Sequence, residues 1–163
     1  MELKKYYIRP HISIDEKFKR LWKNYIWQSF LAAVALFVVI LVLDKDKMVV
    51  ISAMGATAFI VFAMPNAVSA HTRNVIGGHL VGLITGTIFY FIGLPYFLGY
   101  PLVVGIAVFI MVALDVEHPP AAGTALAVVI HEVSPDVSIT IVAVAILLSL
   151  CRHYLEGYLK DLV

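Results

Sequence analysis

Forty-one consecutive residues, Asn74 to Leu114, carry no charge, and among them only His79 titrates near neutral pH. Water cannot solvate a helix that is apolar on every side, so such a run belongs in lipid or deep inside a bundle. It ends in Asp115-Val116-Glu117-His118-Pro119-Pro120, after which a new apolar segment begins. Charges and prolines set between apolar segments are where transport chemistry usually lies.

Composition points the same way. Of 163 residues, 61% are hydrophobic and 14% charged, against about half and a quarter in soluble domains. The class is an integral membrane protein. A net charge of +1, with no basic patch beyond the N-terminal region, leaves no surface for nucleic acid. The single cysteine, Cys151, excludes an intramolecular disulfide framework. Residues 1–24 are polar and carry seven Lys/Arg against Glu2, Asp15 and Glu16. No small-residue cleavage site follows, so the next apolar stretch reads as a retained span rather than a signal peptide. Lys17, Lys19, Arg20 and Lys23 place this basic N-terminal segment in the cytoplasm by the positive-inside rule.

Six apolar segments follow. Tyr25 to Leu43 has 19 residues without a charge, about 28 Å as helix and enough for a bilayer core. Asp44-Lys45-Asp46-Lys47 makes a polar turn. The second segment, 49–64, is rich in small residues and stops at Pro65-Asn66. The third, Val75 to Ile92, carries Gly78, Gly82 and Gly86 at four-residue spacing, a stripe that lets another backbone approach closely. The fourth runs from Tyr96 to Leu114, beyond the Gly-Leu-Pro and Gly-Tyr-Pro punctuation. The fifth, 119–131, is short, about 18–20 Å as helix, and suits a half-helix or a broken one. The acidic turn Glu132 to Asp136 leads to the sixth, Val137 to Leu150, and a polar cytoplasmic tail over 156–163. The expected fold is an all-α polytopic bundle of four to six membrane segments, with residues 25–155 as the transmembrane domain. Four spans and six both leave the C-terminus inside.

A shift of 67 residues superimposes the two halves. Ala56-Thr57-Ala58-Phe59 falls on Gly123-Thr124-Ala125-Leu126, and the long segments coincide as well. Each half reads long, short, long, a 3+3 repeat. Three crossings per half would invert the repeats, and transporters place substrate where the interrupted segments of two such halves meet.

Three sequence blocks carry a family resemblance: Met54-Gly55-Ala56-Thr57-Ala58, Arg73-Asn74-Val75-Ile76-Gly77-Gly78-His79 and His118-Pro119-Pro120-Ala121-Ala122-Gly123-Thr124-Ala125. In this order the chain resembles the HPP family of small integral membrane proteins, over roughly residues 27–150. The resemblance implies four membrane-spanning helices, a count that six apolar segments meet only if two are re-entrant. Some members resemble nitrite transporters of plastids and cyanobacteria. A transporter is implied more firmly than nitrite.

The residues themselves suggest how a small anion would be held. Pro119-Pro120 favour the first turn of a helix, which would leave backbone N–H groups free around Ala121 to Gly123. Helix N-termini bind anions. Gly123 allows close approach and the Thr124 hydroxyl can donate a bond. The repeat puts Ser52, Gly55 and Thr57 in the equivalent place, so two facing N-termini would form the substrate site. The alternative is a tightly packed helix start. His118, flanked by Glu117, is a candidate proton carrier because imidazole titrates near neutrality; its alternative is a helix cap. His79 is a candidate because an imidazole inside a membrane needs a partner, and a facing helix would serve equally. Asn74 joins the site, and Arg73 stands at its entrance or simply obeys the positive-inside rule. His79, His118, His131 and Glu132 lack the short spacing of a metal motif, so no metal and no cofactor is expected. No nucleophile or phosphate-loop motif appears, so an enzyme is not expected. The reading is a transporter of a small inorganic anion in the cytoplasmic membrane, with a proton as coupling ion. A homo-oligomer would pack partly through the Gly78/Gly82/Gly86 face. The rivals are a cation channel or carrier, favoured by Asp115, Glu117 and Glu132, and a membrane scaffold or sensor.

Overall fold

The computed structural model describes residues 16–42, 48–131 and 134–163. The Asp44–Lys47 turn, Glu132 and the first 15 residues lie outside the described residues. The rest form six α-helices and, among the described residues, no strand: α1 (Glu16–Val42), α2 (Met48–Ala63), α3 (Thr72–Ile92), α4 (Tyr96–Ala113), α5 (Pro119–His131) and α6 (Pro135–Leu155). The fold is an all-α polytopic bundle. In lipid every backbone polar group must be satisfied within its own segment, which is why long apolar runs become helices. Four helices, α1, α3, α4 and α6, are long and apolar enough to cross a bilayer; α2 and α5 are shorter apolar helices.

Local chemistry sets the helix ends. Gly93 closes α3 in the left-handed conformation (φ 66°), where only glycine is unstrained. Pro135 begins α6 in the first turn, where its missing N–H costs nothing. Pro101 does not interrupt α4. It sits in the second turn, and the helix runs on through it. Two sequence boundaries move. Helix α1 starts at Glu16, inside the basic segment, with a non-helical residue at Leu21. Residues 156–163 are not a free tail. Leu159 and Leu162 are buried, and Leu162 N–H bonds to Ala63 O at 2.9 Å.

Specific contacts show how the helices run. Gln28 at the middle of α1 bonds to Phe62 O near the end of α2, whereas Gly55 faces Leu36 further along α1. These two helices are antiparallel. Gly78, Gly82 and Gly86 of α3 meet His118, Ala121, Ala125 and Val128 of α5 in the same order, so α3 and α5 run parallel. Arg152 near the end of α6 bonds to Pro65 O just beyond α2, so α2 and α6 share an end too. Successive helices thus alternate in direction, and α2 and α5 run between the same two ends as the long helices rather than folding back.

The halves are related by this geometry. Exchange α1 with α4, α2 with α5 and α3 with α6, and the set of packed pairs maps onto itself: α3–α5 onto α6–α2, α1–α2 onto α4–α5, and α3–α4 onto α6–α1, with α2–α5 and α3–α6 unchanged. Three alternating passes per half make the second half inverted. Two apolar clusters follow the same plan, one around α2 with α1 and α6, the other around α5 with α3 and α4. Lipid supplies no hydrophobic drive between helices, so close packing and buried hydrogen bonds hold such a bundle together.

The glycine face of α3 is filled within the chain. A Cβ on Gly78 would sit 2.6 Å from His118 Cβ, and one on Gly86 would sit 2.6 Å from Ala125 O. At Gly82 it would strike the Ala121 carbonyl oxygen. This face is therefore not open to a second copy, because α5 already occupies it.

Candidate functional site

The tightest helix pair brings the polar residues of three elements together. Thr57 comes from α2, His79 from α3, Thr124 from α5, and His118 from the residue before α5. Each is fully buried. Gly78 makes this possible, since only a bare Cα lets the His118 side chain lie against α3.

The four side chains form one hydrogen-bonded file. Thr57 Oγ1 lies 3.0 Å from His79 Nε2 and 3.0 Å from His118 Nε2. His79 Nδ1 lies 2.9 Å from Thr124 Oγ1. His118 Nδ1 lies 2.7 Å from the Ser69 carbonyl. Thr57 Oγ1 is also 3.0 Å from the Ala53 carbonyl, one turn back on its own helix. The two imidazoles meet edge to face, with ring centroids 5.0 Å apart. The file connects hydroxyls with groups that accept or release protons, in a place shielded from water.

A second polar layer closes the end of the bundle above it. Arg73 Nη1 pairs with Asp115 at 2.9 Å, and Nη2 donates to Leu114 O at 3.0 Å. Asn74 Nδ2 donates to Glu117, to its carbonyl at 3.3 Å and its carboxylate at 3.4 Å. Asp115 has a φ of 56°, a conformation that Asp tolerates better than most residues. These contacts tie the α4–α5 loop to the start of α3 and hold Glu117 beside His118.

The sequence expectations fall into two groups. Thr57, His79, His118 and Thr124 are brought together, and Asn74, Glu117 and Arg73 stand in the layer above. Ser52 is exposed on α2, and Gly55 faces Leu36 of α1, which a Cβ there would meet at 3.6 Å. Gly123 faces Ala53 of α2, where an added Cβ would make an ordinary 3.5 Å contact. The two facing helix N-termini are not what meets here. Helix α2 begins at Met48, so Thr57 lies in its middle, and the Ala121 N–H is already bonded to His118 O at 2.9 Å. What the repeat places together is the threonine pair, one on each side of His79. Arg73 is engaged by Asp115 rather than free. Among the described residues no group of three or more His, Cys, Asp or Glu gathers.

The ordered blocks that surround this file are those of a known family: a model described as the HPP transmembrane region matches residues 18–158. The chain belongs to the HPP family. No curated protein and no solved structure matches it. The HPP match spans all six helices, and the His118-Pro119-Pro120 triplet within it contributes the imidazole at the head of the file. In this HPP protein the two prolines start α5 without needing N–H partners, which leaves His118 outside the helix and free to turn toward α2.

Three contributors escaped sequence reasoning. The Ser69 and Ala53 carbonyls leave no side-chain signal. Gln28 does: it is the one amide in an uncharged apolar stretch. It is 1% exposed, and its side chain receives the Lys160 N–H at 3.0 Å and donates to Lys160 O at 2.8 Å, holding residues 156–163 against α2.

Proposed function

We propose that this HPP-family membrane protein transports a small inorganic anion together with a proton, with nitrite the candidate that the family resemblance suggests. The observation that carries this reading is the buried Thr124–His79–Thr57–His118 file at the crossing of the two short helices. Ionisable side chains inside a membrane are costly and mark conduction paths or proton relays. Short helices of two inverted halves meet where transporters hold substrate. Imidazole N–H and hydroxyl groups are donors suited to an anion. Moving a lone anion inward against a potential of 100 mV costs about 2.3 kcal/mol, and a co-transported proton cancels that charge.

Two of the acids that would favour a cation, Asp115 and Glu117, are otherwise engaged. Asp115 is paired with Arg73, and Glu117 is held by Asn74 at the surface layer. Orientation follows from charge. Lys17, Lys19, Arg20, Lys23, Arg73, Arg152 and Lys160 all belong to the end where α1 starts and α6 finishes, and that end would face the cytoplasm of an inner membrane. A homo-oligomer would form on faces other than the glycine stripe, and mass in mild detergent reports it.

The test is nitrite flux into proteoliposomes under an imposed pH gradient, with His118→Ala as the control. Uptake that depends on protein, on the gradient and on His118 supports the reading. Absence of flux for nitrite, nitrate, formate and chloride, with folded protein shown to be present, overturns it and leaves the scaffold reading.

A further inference from the structure

A hydroxyl has one hydrogen, and Thr57 has three neighbours within bonding distance: His79 Nε2, His118 Nε2 and the Ala53 carbonyl, each at 3.0 Å. The hydrogen-bond inventory of these groups fixes how the hydrogens are arranged. The Ser69 carbonyl can only accept, so His118 Nδ1 carries a hydrogen and donates it. With His118 neutral, its Nε2 is a bare lone pair. Only Thr57 stands there to satisfy it, so the Thr57 hydrogen points to His118. The Thr57 oxygen then faces His79 Nε2, which must donate. That leaves His79 Nδ1 as an acceptor, filled by the Thr124 hydroxyl. Every member of the file is satisfied, in one direction: Thr124 to His79 to Thr57 to His118 to Ser69. The reverse order would set two lone pairs against each other at Thr57 and His118.

We propose that Thr57 is the positioning residue of the proton site: its hydroxyl fixes the opposite tautomers of His79 and His118, and it turns to the Ala53 carbonyl when His118 takes up a proton. The arriving proton bonds to the His118 Nε2 lone pair, and that nitrogen becomes a donor. The Thr57 O–H bond rotates away to the Ala53 oxygen, one turn back on α2. The two lone pairs of Thr57 then receive His118 Nε2–H and His79 Nε2–H. Within the protein the only new covalent bond is that N–H, and the bond that breaks is the O–H of the carrier that delivers the proton, hydronium or the protonated anion. His79 has no comparable release: a proton at its Nδ1 would have to displace the Thr124 hydroxyl, and among the described residues that hydroxyl has no second acceptor like the Ala53 carbonyl beside Thr57. Among the described residues, the titratable and charged groups around His118 are His79 across the ring contact on α3, Glu117 beside it, tied to Asn74, exposed His71 two residues beyond the Ser69 carbonyl, and the Arg73–Asp115 pair further out. The role of this switch in coupling rests on the transport reading, whereas the tautomers do not.

The experiment is nitrogen NMR of histidine-labelled full-length protein in lipid bilayers, across a pH series. The expected spectrum at alkaline pH has His118 protonated at Nδ1 alone and His79 at Nε2 alone. On acidification His118 gains a second N–H first. Thr57→Ser keeps this pattern, and Thr57→Val, where it folds, loses the fixed tautomers and shifts the pH at which His118 titrates. An alkaline His118 protonated at Nε2, or a His79 protonated at Nδ1, overturns the proposal in the wild-type protein without need of any variant. The expected tautomers in a protein that moves no anion would overturn the transport reading and leave the assignment of Thr57 standing.

Discussion

Helices α3 and α5 form one arm of the bundle, and α6 and α2 form its pseudo-symmetric partner, yet the two arms are filled differently. The first is zipped backbone to backbone along Gly78, Gly82 and Gly86. Under the 67-residue shift the three glycines fall on Ala145, Ser149 and His153 of α6, the first two buried and the third exposed, so that arm is lined by side chains rather than bare backbone. The threonines obey the repeat, Thr57 against Thr124. The histidines do not: under the 67-residue shift His118 falls on Ile51, a buried aliphatic residue. Symmetry therefore duplicates the scaffold and the hydroxyls, and the buried imidazoles among the described residues are placed on one arm only. A close glycine contact and a buried imidazole go together, because the missing Cβ makes the room that His118 occupies.

The strongest way to break this comparison is at the glycines. Gly82→Leu should yield no folded protein, since its side chain would meet the Ala121 carbonyl. Gly82→Ala should cost about 1–3 kcal/mol by overpacking. The opposite change on the other arm, Ala145→Gly at the counterpart of Gly78, should cost about 1 kcal/mol, from helix propensity and a lost methyl. Heated samples followed by size-exclusion chromatography rank the three, and equal losses for the two single-methyl changes would mean that the arms are equally tight.

Next in size are the hydroxyls. Thr57→Val strands two buried ring nitrogens and Thr124→Val strands one, at about 1–3 kcal/mol for each stranded group. Unfolding in detergent should place Thr57→Val clearly below Thr124→Val. The opposite order would argue that the file ends at His79 rather than at His118.

Gln28→Leu comes third. It removes the bonds to Phe62 and Lys160 that fasten residues 156–163, a local loss of about 1–3 kcal/mol. Limited proteolysis should cut this segment earlier in the variant while the helices stay resistant. If cleavage does not change, buried Leu159 and Leu162 alone hold it.

The smallest effect belongs to Asp115→Asn. Its pair with Arg73 is exposed on both sides, 62% and 72%, and such pairs contribute about 0–1 kcal/mol. Asn also tolerates the positive φ. The melting temperature should move little, and the difference should shrink further with added salt. A large loss would show that the surface layer carries stability now ascribed to the core.

Much of the site was legible because its parts are costly in lipid. His79 and His118 stand out in apolar sequence, and the repeat singles out Thr57 and Thr124 as partners. The anion-binding role expected of Ser52, Gly55 and Gly123 assumed that α2 starts where the repeat puts it. Helix α2 starts earlier, at Met48, so Ser52 turns outward and Gly55 toward α1. Arg73 read as an open entrance because sequence does not show that Asp115 reaches it across 42 residues.

By itself, the sequence determined the class, the six helices and the halves they fall into. Long uncharged runs in lipid satisfy their backbone as helices, and proline, glycine and charge mark where they stop. Tertiary structure alone decided which partner each helix meets. It turned the glycine stripe inward to α5 rather than toward a second copy, and it converted two distant histidines and two threonines into one directed file. Hydrogen bonds between side chains depend on distances of a few tenths of an ångström and on which lone pair is left open, and neither is encoded at any single position of the chain.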